Sequence, residues 1–370
     1  MKIIFFVHSL RKGGAERLLL QIAKYIFNKG HEITVLQAVN FDEYQEYSEI
    51  KKEYLLDSKE YNWPYIFPQL VKKYRKYIQS KDPDLVCIFS PLMIIIAAFS
   101  FVKTNTIHVI QGYGSVVRTG SMKQFIYKIL DRLSLSILKY NVIVPTESLK
   151  KACLKYISFK DSDIKVIPSG IDNSQLVFNR KDKEFDNQII ITMLGTIYKE
   201  KGQRYAIEAV KHIKKTNPNL DILVKIIGAG SDEDYINKKI IENGLEKNVS
   251  LLGRRDNAFE IISNSHIFWH LSESEGMPLV VMEAMALGIP VIGFNVRGVN
   301  DVIKNGSNGY LAEFKDMNAI ASYTIALIND VENYNRVRVD ARYKIDQIYN
   351  TEKMFLNYEK YFIEFHKSIN

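Results

Sequence analysis

The chain has 370 residues, of which 46% are hydrophobic and 25% are charged, and its net charge is +8. This length supports more than one hydrophobic core, and the composition excludes an intrinsically disordered or fibrous chain. The 2 cysteines, Cys87 in a strand-like run and Cys153 in a helix-like one, argue against a disulfide framework or a cysteine metal site and suit a reducing cytoplasm.

The first half of the chain alternates strand-like and helix-like segments. Strands are predicted at the runs IIFFV, HEITVLQAV, DLVCIF, TIHVI, NVIV and IKVIP. Helices are predicted to begin near Ala15, Pro64, Pro91, Ser121 and Thr146. This alternation predicts a parallel sheet with both faces covered. The apolar run after Lys2 is too short for a signal peptide, so it predicts a first buried strand and no export.

Residues 85–102 approach the length of a membrane span. Ser90 and Pro91 divide this run, so it predicts a buried strand followed by an apolar helix.

The second half of the chain repeats the alternation. After Asp172 the polar stretch NSQLVFNRKDKEFDN predicts an interdomain linker. Six further strands are expected at IIITML, ILVKII, VSLLG, HIFWHL, PVIGF and GYLAEF. We therefore predict an α/β chain with two doubly wound, Rossmann-like domains, residues 1–172 and 173–345, and a C-terminal helical segment, residues 346–370. Because ligands bind beyond the carboxyl ends of parallel strands, the site is expected where the two sheets face each other across a cleft.

Residues 266–294, HIFWHLSESEGMPLVVMEAMALGIPVIGF, form the most informative segment. The pattern predicts a strand, a short acidic and glycine-containing loop, a helix and a second strand. Pro278 suits the first turn of a helix, where its fixed φ and missing N–H cost nothing. The backbone N–H groups of residues 276–280 are then unsatisfied at the helix start, which favours an anion such as phosphate.

Two carboxylates, Glu275 and Glu283, stand eight positions apart around this predicted anion site. Because they would repel a bare pyrophosphate, we infer that they accept hydrogen bonds from hydroxyl-rich groups, such as a ribose and a sugar. The alternative is a helix-terminal charge at Glu275 and a solvated helix residue at Glu283. The apolar neighbours of Glu283 argue against it, since a carboxylate among buried residues needs partners.

The segment SESEGMPLVVMEAMALGIPVI resembles the signature of the family-four retaining glycosyltransferases, whose paired glutamates fall on Glu275 and Glu283. Further matches extend over most of the chain: GGAER from Gly13, IPSGID from Ile167, Lys201 with Gly202 after a strand, IIGAGSD from Ile226 and VSLLGRRDN from Val249. The resemblance implies the GT-B fold, which has two facing Rossmann-like domains, and a C-terminal helix that braces the N-terminal domain.

The resemblance also implies roles for residues on the donor side. Glu275 is expected to hold the sugar hydroxyls, and Lys201 is expected to stabilise the charge that grows on the leaving diphosphate. Glu283 is expected to bind the ribose hydroxyls. The other donor-binding candidates are Gly14, Thr196, Lys199, Arg254, Gly276, Met277, Pro278 and Leu279.

Thr196 departs from the family pattern, because an arginine usually stands there. Lys199 is the alternative cation, although a flexible ammonium does not replace a bidentate guanidinium.

Acceptor-side candidates lie in the first half of the chain and are Gly13, Gln111, Gly112 and Tyr113. Gly13 and Gly14 follow the first strand, and a simple turn is the alternative role for this pair. Gln111 stands where the family often has a histidine. His108 lies three residues earlier and points to the other face of a strand, so a structural role is predicted for it.

No metal or cofactor is expected. Asp82, Pro83 and Asp84 have Asp-x-Asp spacing, but they precede a strand and so lie at the wrong end of the sheet. The leaving group is instead expected to be stabilised by helix N–H groups and Lys201.

The positive charge is concentrated in the first half, where residues 1–170 hold 25 Lys and Arg against 15 Asp and Glu. Basic and apolar residues interleave in LVKKYRKYIQSK and SMKQFIYKILDRLSLSILKY, which suits contact with an anionic membrane surface. A solvated helix face is the alternative. No nucleic-acid-binding motif accompanies these residues.

We therefore expect a retaining, metal-independent glycosyltransferase that moves a hexose or N-acetylhexosamine from a nucleotide sugar, expected to be UDP-linked, to a lipid-linked saccharide. Such an enzyme would serve capsule or lipopolysaccharide synthesis in the cytoplasm, at the inner face of the plasma membrane. One alternative is an assembly subunit that binds a nucleotide sugar or lipid without turnover, as Thr196 and Gln111 suggest. The other is a UDP-sugar epimerase, whose acid/base carboxylates and histidine the motifs do not supply.

Overall fold

The computed structural model describes residues 1–11, 13–58, 63–112, 122–157, 159–172, 176–179, 185 and 188–369. The chain divides into two compact units, one formed by Met1–Pro168 with Glu352–Asn370 and the other by Ser169–Thr351. Each unit is built on a parallel sheet. The predicted α/β class with two Rossmann-like domains is confirmed.

The sheet of the first unit has seven strands, which are β1 (Lys2–Val7), β2 (Glu32–Val39), β3 (Lys51–Leu56), β4 (Leu85–Ile88), β5 (Thr106–Val109), β6 (Asn141–Val144) and β7 (Ile164–Val166). They lie in the order β3-β2-β1-β4-β5-β6-β7, and neighbouring strands are parallel. The order reverses between β1 and β4, which is the switch point where open sheets of this kind bind ligands.

Helices that cross between these strands are α1 (Gly14–Asn28), α2 (Trp63–Lys81), α3 (Pro91–Phe99), α4 (Met122–Leu138) and α5 (Glu147–Tyr156). Residues 85–102 form β4 and then α3, which confirms the predicted strand and apolar helix. Across the described ranges, no helix combines the length and hydropathy needed to span a membrane.

The second unit contains a six-stranded sheet. Its strands are β8 (Gln188–Leu194), β9 (Asp221–Ile227), β10 (Val249–Gly253), β11 (Ile267–His270), β12 (Val291–Phe294) and β13 (Tyr310–Ala312). They lie in the order β10-β9-β8-β11-β12-β13, again with parallel neighbours. This order reverses between β8 and β11.

The helices of the second unit are α6 (Tyr205–Thr216), α7 (Glu233–Glu242), α8 (Ala258–Ser263), α9 (Leu279–Ala286), α10 (Val299–Val302), α11 (Met317–Asn329) and α12 (Val331–Ile348). Apolar clusters cover both faces of the sheet, and α9 contributes Val281, Met282, Ala284, Met285 and Ala286 to one of them. The sequence of α9 is apolar on almost every side because the helix is almost wholly buried.

The last helix, α13 (Thr351–Ile369), belongs to the first unit. Its residues Met354, Tyr358 and Phe362 are buried with β1 in one core, and the rings of Phe362 and Phe5 lie 6.3 Å apart. The helix therefore completes one face of the N-terminal sheet.

The unit boundaries lie at Pro168/Ser169 and Thr351/Glu352, a few residues from the predicted positions 172 and 345. The difference arises because the two chain segments that connect the units pair with each other. The N–H of Ile171 donates to the carbonyl of Tyr349 at 2.9 Å, and a Cβ on Gly170 would lie 2.5 Å from the nitrogen of Thr351.

Part of the predicted linker packs on the second unit. Leu176 is buried in its core. Arg342 donates to the carbonyl of Leu176 at 2.8 Å, and Arg338 donates to that of Asn179 at 2.8 Å. The polar composition predicts an interdomain linker here, whereas two arginines of α12 hold part of this segment through its backbone.

Candidate active site

The switch point of the second sheet brings two loops together. One loop follows β8 and carries Lys201, and the other follows β11 and carries Glu275. Because β8 and β11 are adjacent and parallel, their carboxyl ends lie side by side.

Backbone contacts fix these two loops against each other. The N–H of Glu273 donates to the carbonyl of Glu200 at 2.9 Å, and the hydroxyl of Ser272 donates to the same carbonyl at 3.2 Å. Gly202 has a φ of +72°, and a Cβ there would overlap the carbonyl oxygen of Leu271. Only glycine tolerates both this left-handed backbone and so close an approach.

Lys201 and Glu275 form an ion pair across the loops. The Nζ atom of Lys201 lies 2.8 Å from Oε1 of Glu275 and 3.0 Å from Oε2. The Nε2 atom of His270, at the end of β11, lies 3.2 Å from the same Oε1. In this arrangement its N–H is not aligned for a hydrogen bond, although the distance allows one. Two residues predicted as catalytic are thus in direct contact.

The surroundings of Glu275 favour its ionised form. Burial alone would raise the pKa of this carboxyl, but its interactions with His270 and Lys201 outweigh burial and lower the pKa from 4.5 to about 2. Glu275 is therefore a carboxylate, and a hydrogen-bond acceptor only, throughout the physiological pH range.

The lowered pKa of Glu275 predicts a specific loss of stability in acid. A carboxyl whose pKa is lower in the folded state stabilises the fold above its ordinary pKa of 4.5, and this contribution disappears as pH falls towards 2. We expect the free energy of unfolding to fall by about 2 kcal/mol more in the native chain than in Glu275→Gln between about pH 5 and pH 3. Urea titrations of both proteins would measure this difference, and parallel pH curves would contradict it.

The helix α9 begins beside this ion pair. Pro278 precedes the first helical residue, Leu279, with a φ of −80°, so the proline lies one position before the predicted first turn. In the described part of the chain, the N–H groups of Gly276, Met277, Leu279 and Val280 donate no hydrogen bond to protein. The start of α9 is therefore a group of oriented amide donors, as the sequence predicted.

Backbone contacts with residues 297 and 298 hold the loop before α9 in place. The N–H of Glu275 donates to the carbonyl of Arg297 at 3.2 Å. A Cβ on Gly298, whose φ is +82°, would lie 2.8 Å from the carbonyl oxygen of Gly276. This close backbone packing holds the amide donors in place.

Other donor-side candidates occupy the same edge of the sheet. Thr196 and Lys199 are exposed in the loop after β8, and the side chain of Gln203 donates to the Thr196 carbonyl at 3.2 Å. Arg254 is exposed directly after β10. Glu283 is half-buried on α9, one helical turn after Leu279.

Acceptor-side candidates lie on the first unit. Gly13 precedes α1 with an extended φ of −160°, and Gly14 is the first residue of that helix. The hydroxyl of Tyr44 accepts from the Gly13 N–H and donates to the Gly13 carbonyl, both at 2.9 Å. This turn follows β1 at the switch point of the first sheet.

Gln111 and its neighbours follow β5. The side chain of Gln111 hydrogen-bonds the buried hydroxyl of Tyr358 on α13, so it ties that helix to the sheet in this structure. Gly112 is half-buried beside it, and Tyr113 lies outside the described residues. His108 is buried on the opposite face, with its ring 5.8 Å from that of Tyr140, which fits the structural role predicted for it.

No metal centre is evident in the ranges that the structure describes, since no group of three or more His, Cys, Asp or Glu side chains converges there.

Comparison with known proteins identifies the family. A model described as "Glycosyl transferases group 1" matches residues 177–344, and one described as "Glycosyltransferase Family 4" matches residues 12–175. Together the two matches cover most of both units. The chain belongs to the family-four glycosyltransferases.

Relatives of this glycosyltransferase include bacterial enzymes of polysaccharide synthesis. The chain is 27% identical over 256 residues to the UDP-Gal:alpha-D-GlcNAc-diphosphoundecaprenol alpha-1,3-galactosyltransferase of Escherichia coli, covering 67% of this chain and 66% of that protein. It is 27% identical over 283 residues to the capsular polysaccharide biosynthesis glycosyltransferase CapM of Staphylococcus aureus, covering 69% and 73% respectively.

Solved structures show the same fold. The Anabaena protein Alr3699/HepE, crystallised in complex with UDP, superposes with a TM-score of 0.81 at 18% identity, covering 98% of this chain and 100% of that one. The GT-B fold expected from the sequence motifs is confirmed.

The sequence pattern does not single out one neighbour of the candidate site. His270 ends an apolar run that predicts a buried strand, and this pattern assigns it no role. The available signal was its position, because a polar residue at the carboxyl end of a buried parallel strand faces the ligand edge of the sheet.

Proposed function

We propose that this chain transfers a hexose or N-acetylhexosamine from a UDP-sugar to a lipid-linked saccharide in bacterial surface polysaccharide synthesis. The observation that carries the proposal is the Lys201–Glu275 ion pair beside the open amides that begin α9. Together they supply a cation, a hydroxyl acceptor and oriented N–H donors. These are the groups that a sugar diphosphate requires.

The diphosphate is proposed to bind at the start of α9. The N–H groups of Leu279 and Val280 and the helix dipole favour an anion there. Lys201 would neutralise the charge that develops on the leaving diphosphate, which is the step where preorganised groups accelerate the reaction most. We propose that these groups act without a metal ion, because they already supply positive potential at the leaving oxygen.

The sugar is proposed to bind Glu275. Since this carboxylate is ionised and largely buried, it can accept two hydrogen bonds from vicinal hydroxyls. Glu283 is proposed to accept from the ribose hydroxyls. Glu275 is already bound to Lys201 and is not arranged as a free nucleophile, which supports attack by the acceptor on the leaving-group side and retention of anomeric configuration.

The names of relatives support the nucleotide and acceptor. The Escherichia coli relative is named for UDP-Gal and a diphosphoundecaprenol acceptor, and the Anabaena structure contains UDP. We propose a corresponding lipid-linked acceptor that contacts Gly13, Gln111 and Gly112 on the first unit. The basic first half supports peripheral contact with the anionic inner face of the plasma membrane.

Incubation of the purified chain with radiolabelled UDP-glucose, UDP-galactose or UDP-N-acetylglucosamine and a bacterial membrane lipid extract would test the proposal. We expect label to enter the lipid fraction from one donor, with and without EDTA, and the product to keep the α-configuration by NMR.

Three other outcomes would contradict all or part of the proposal. Label in a free altered UDP-sugar would indicate an epimerase. Tight binding of the UDP-sugar, with no transfer and no slow hydrolysis of that donor, would indicate a binding subunit. Loss of transfer in EDTA would contradict the metal-free part of the proposal.

A further inference from the structure

His270 is a buried imidazole beside the proposed sugar-binding carboxylate. It ends β11, whose other residues, Ile267, Phe268 and Trp269, are all buried and apolar. The His270 side chain is 7% exposed, and its Nε2 lies 3.2 Å from Oε1 of Glu275. A polar ring in such a position needs a partner, and Glu275 is the partner that it faces.

The two partners of Glu275 differ in their freedom to move. The Lys201 side chain is 39% exposed, whereas those of Glu275 and His270 are 11% and 7% exposed. Lysine is a strongly hydrated cation on a flexible stem, so it can leave the pair for another anion near the solvent. The His270 side chain is short and is anchored by a buried strand, so it cannot move away from Glu275 in this way.

A donor diphosphate would compete with Glu275 for Lys201. Both are anions, and the diphosphate carries the larger charge. If Lys201 turned to the phosphate, a largely buried carboxylate would lose the ammonium that now contacts both of its oxygens, which is costly unless another group remains in contact. His270 is the other group within ion-pair distance of that carboxylate in the described residues.

We propose that His270 is a positioning residue that holds Glu275 in place when the donor diphosphate draws Lys201 away. The inference rests on the proposed function, because it assigns the diphosphate to Lys201 and the sugar to Glu275. In the structure Lys201 and His270 share the carboxylate. In the donor complex His270 alone keeps it oriented towards the sugar hydroxyls, so the histidine governs recognition of the sugar and not of the nucleotide.

The test compares binding of UDP with binding of UDP-glucose, UDP-galactose and UDP-N-acetylglucosamine by isothermal titration calorimetry. The variants are His270→Leu, which removes the ring nitrogens, and His270→Gln, whose amide nitrogen approximates the position of Nε2. Lys201→Ala is included because it should weaken UDP and UDP-sugars alike. The matched control is His266→Leu, which changes another buried histidine next to the same strand, where its Nδ1 accepts from the Ile190 N–H at 2.9 Å.

We expect His270→Leu to weaken the best-bound UDP-sugar about tenfold or more while UDP changes less than about twofold, since contacts to a charged group carry this much energy. His270→Gln should recover most of the loss. His266→Leu should lower the melting temperature without changing the ratio of the two affinities.

Equal weakening of UDP and UDP-sugar in His270→Leu, or no recovery in His270→Gln relative to leucine, would overturn the inference and leave the proposed function standing. If the native chain binds UDP but none of the UDP-sugars, the proposed function itself fails. Should His270→Leu not fold, His270→Asn replaces it, because its shorter amide approximates the position of Nδ1 and not that of Nε2. Equal weakening of UDP and UDP-sugar in that variant contradicts the positioning role.

Discussion

Lys201→Ala is expected to lower the rate of sugar transfer by about 100- to 1000-fold, the range seen when one preorganised group that stabilises transition-state charge is removed. Lys201 is the cation that the fold brings to the start of α9, and its Nζ lies 2.8 Å from Glu275. The loss should fall mainly on kcat, because charge on the diphosphate grows as the bond to the sugar breaks. Initial rates with a labelled UDP-sugar and lipid acceptor would measure it.

The matched control is Lys211→Ala. Lys211 is an exposed lysine on α6 that pairs with Glu208 at 3.2 Å, away from the loops of the site. We expect transfer by this variant to be unchanged. A loss below about tenfold in Lys201→Ala would remove this residue from the chemistry, given the size of effect expected for such a group.

Glu275→Gln is also expected to lower the rate of sugar transfer, because it disrupts the same Lys201–Glu275 ion pair. Because Lys201 and Glu275 are in contact, their losses are not expected to add, and the double variant should be about as slow as the worse single variant. Additive losses would show that the two residues act independently.

Gly202→Ala is expected to destabilise the second unit by about 2–5 kcal/mol, the sum of left-handed backbone strain and overpacking. Gly202 has a φ of +72°, and a Cβ would overlap the Leu271 carbonyl and lie 3.0 Å from the Tyr205 ring. The two loops that carry Lys201 and Glu275 would be forced apart, so donor binding should be lost together with stability. Thermal unfolding with and without UDP would follow both effects.

Gly244→Ala isolates the backbone part of that effect. Gly244 has a similar φ of +63°, but nothing lies within 4 Å of its Cβ position. It follows α7 as a left-handed helix end. We expect a loss of about 1–2 kcal/mol with UDP binding unchanged. If both glycine variants lost the same stability, the close packing of Gly202 on Leu271 would be irrelevant.

The hydrophobic pattern of the sequence predicts most of the fold, with one strand as the exception. All six strands of the second sheet were predicted, because both faces are covered and each strand is strongly apolar. The strand β3, sequence KKEYLL, was missed. It lies at the edge of the first sheet, pairs with β2 alone, and leaves Tyr54 46% exposed. Most of this strand is only partly buried or exposed, so it lacks the apolar pattern on which such predictions depend.

The structure brings several of the predicted site residues together, but the sequence does not predict their geometry. The glycine and proline punctuation around Glu275 indicated an amide-lined helix start, and the structure has one. The contact between Lys201 and Glu275 joins residues 74 positions apart, so it depends on β8 and β11 being neighbours in the sheet. His270 was hidden for the same reason, since its partner lies in a loop whose path the sequence pattern does not define.

The most direct test of the account is a crystal structure of the chain with UDP. We expect the terminal phosphate within hydrogen-bond distance of the Leu279 or Val280 N–H and of Lys201 Nζ, with Lys201 withdrawn from Glu275. A diphosphate bound away from the start of α9, with the Lys201–Glu275 pair intact, would contradict it.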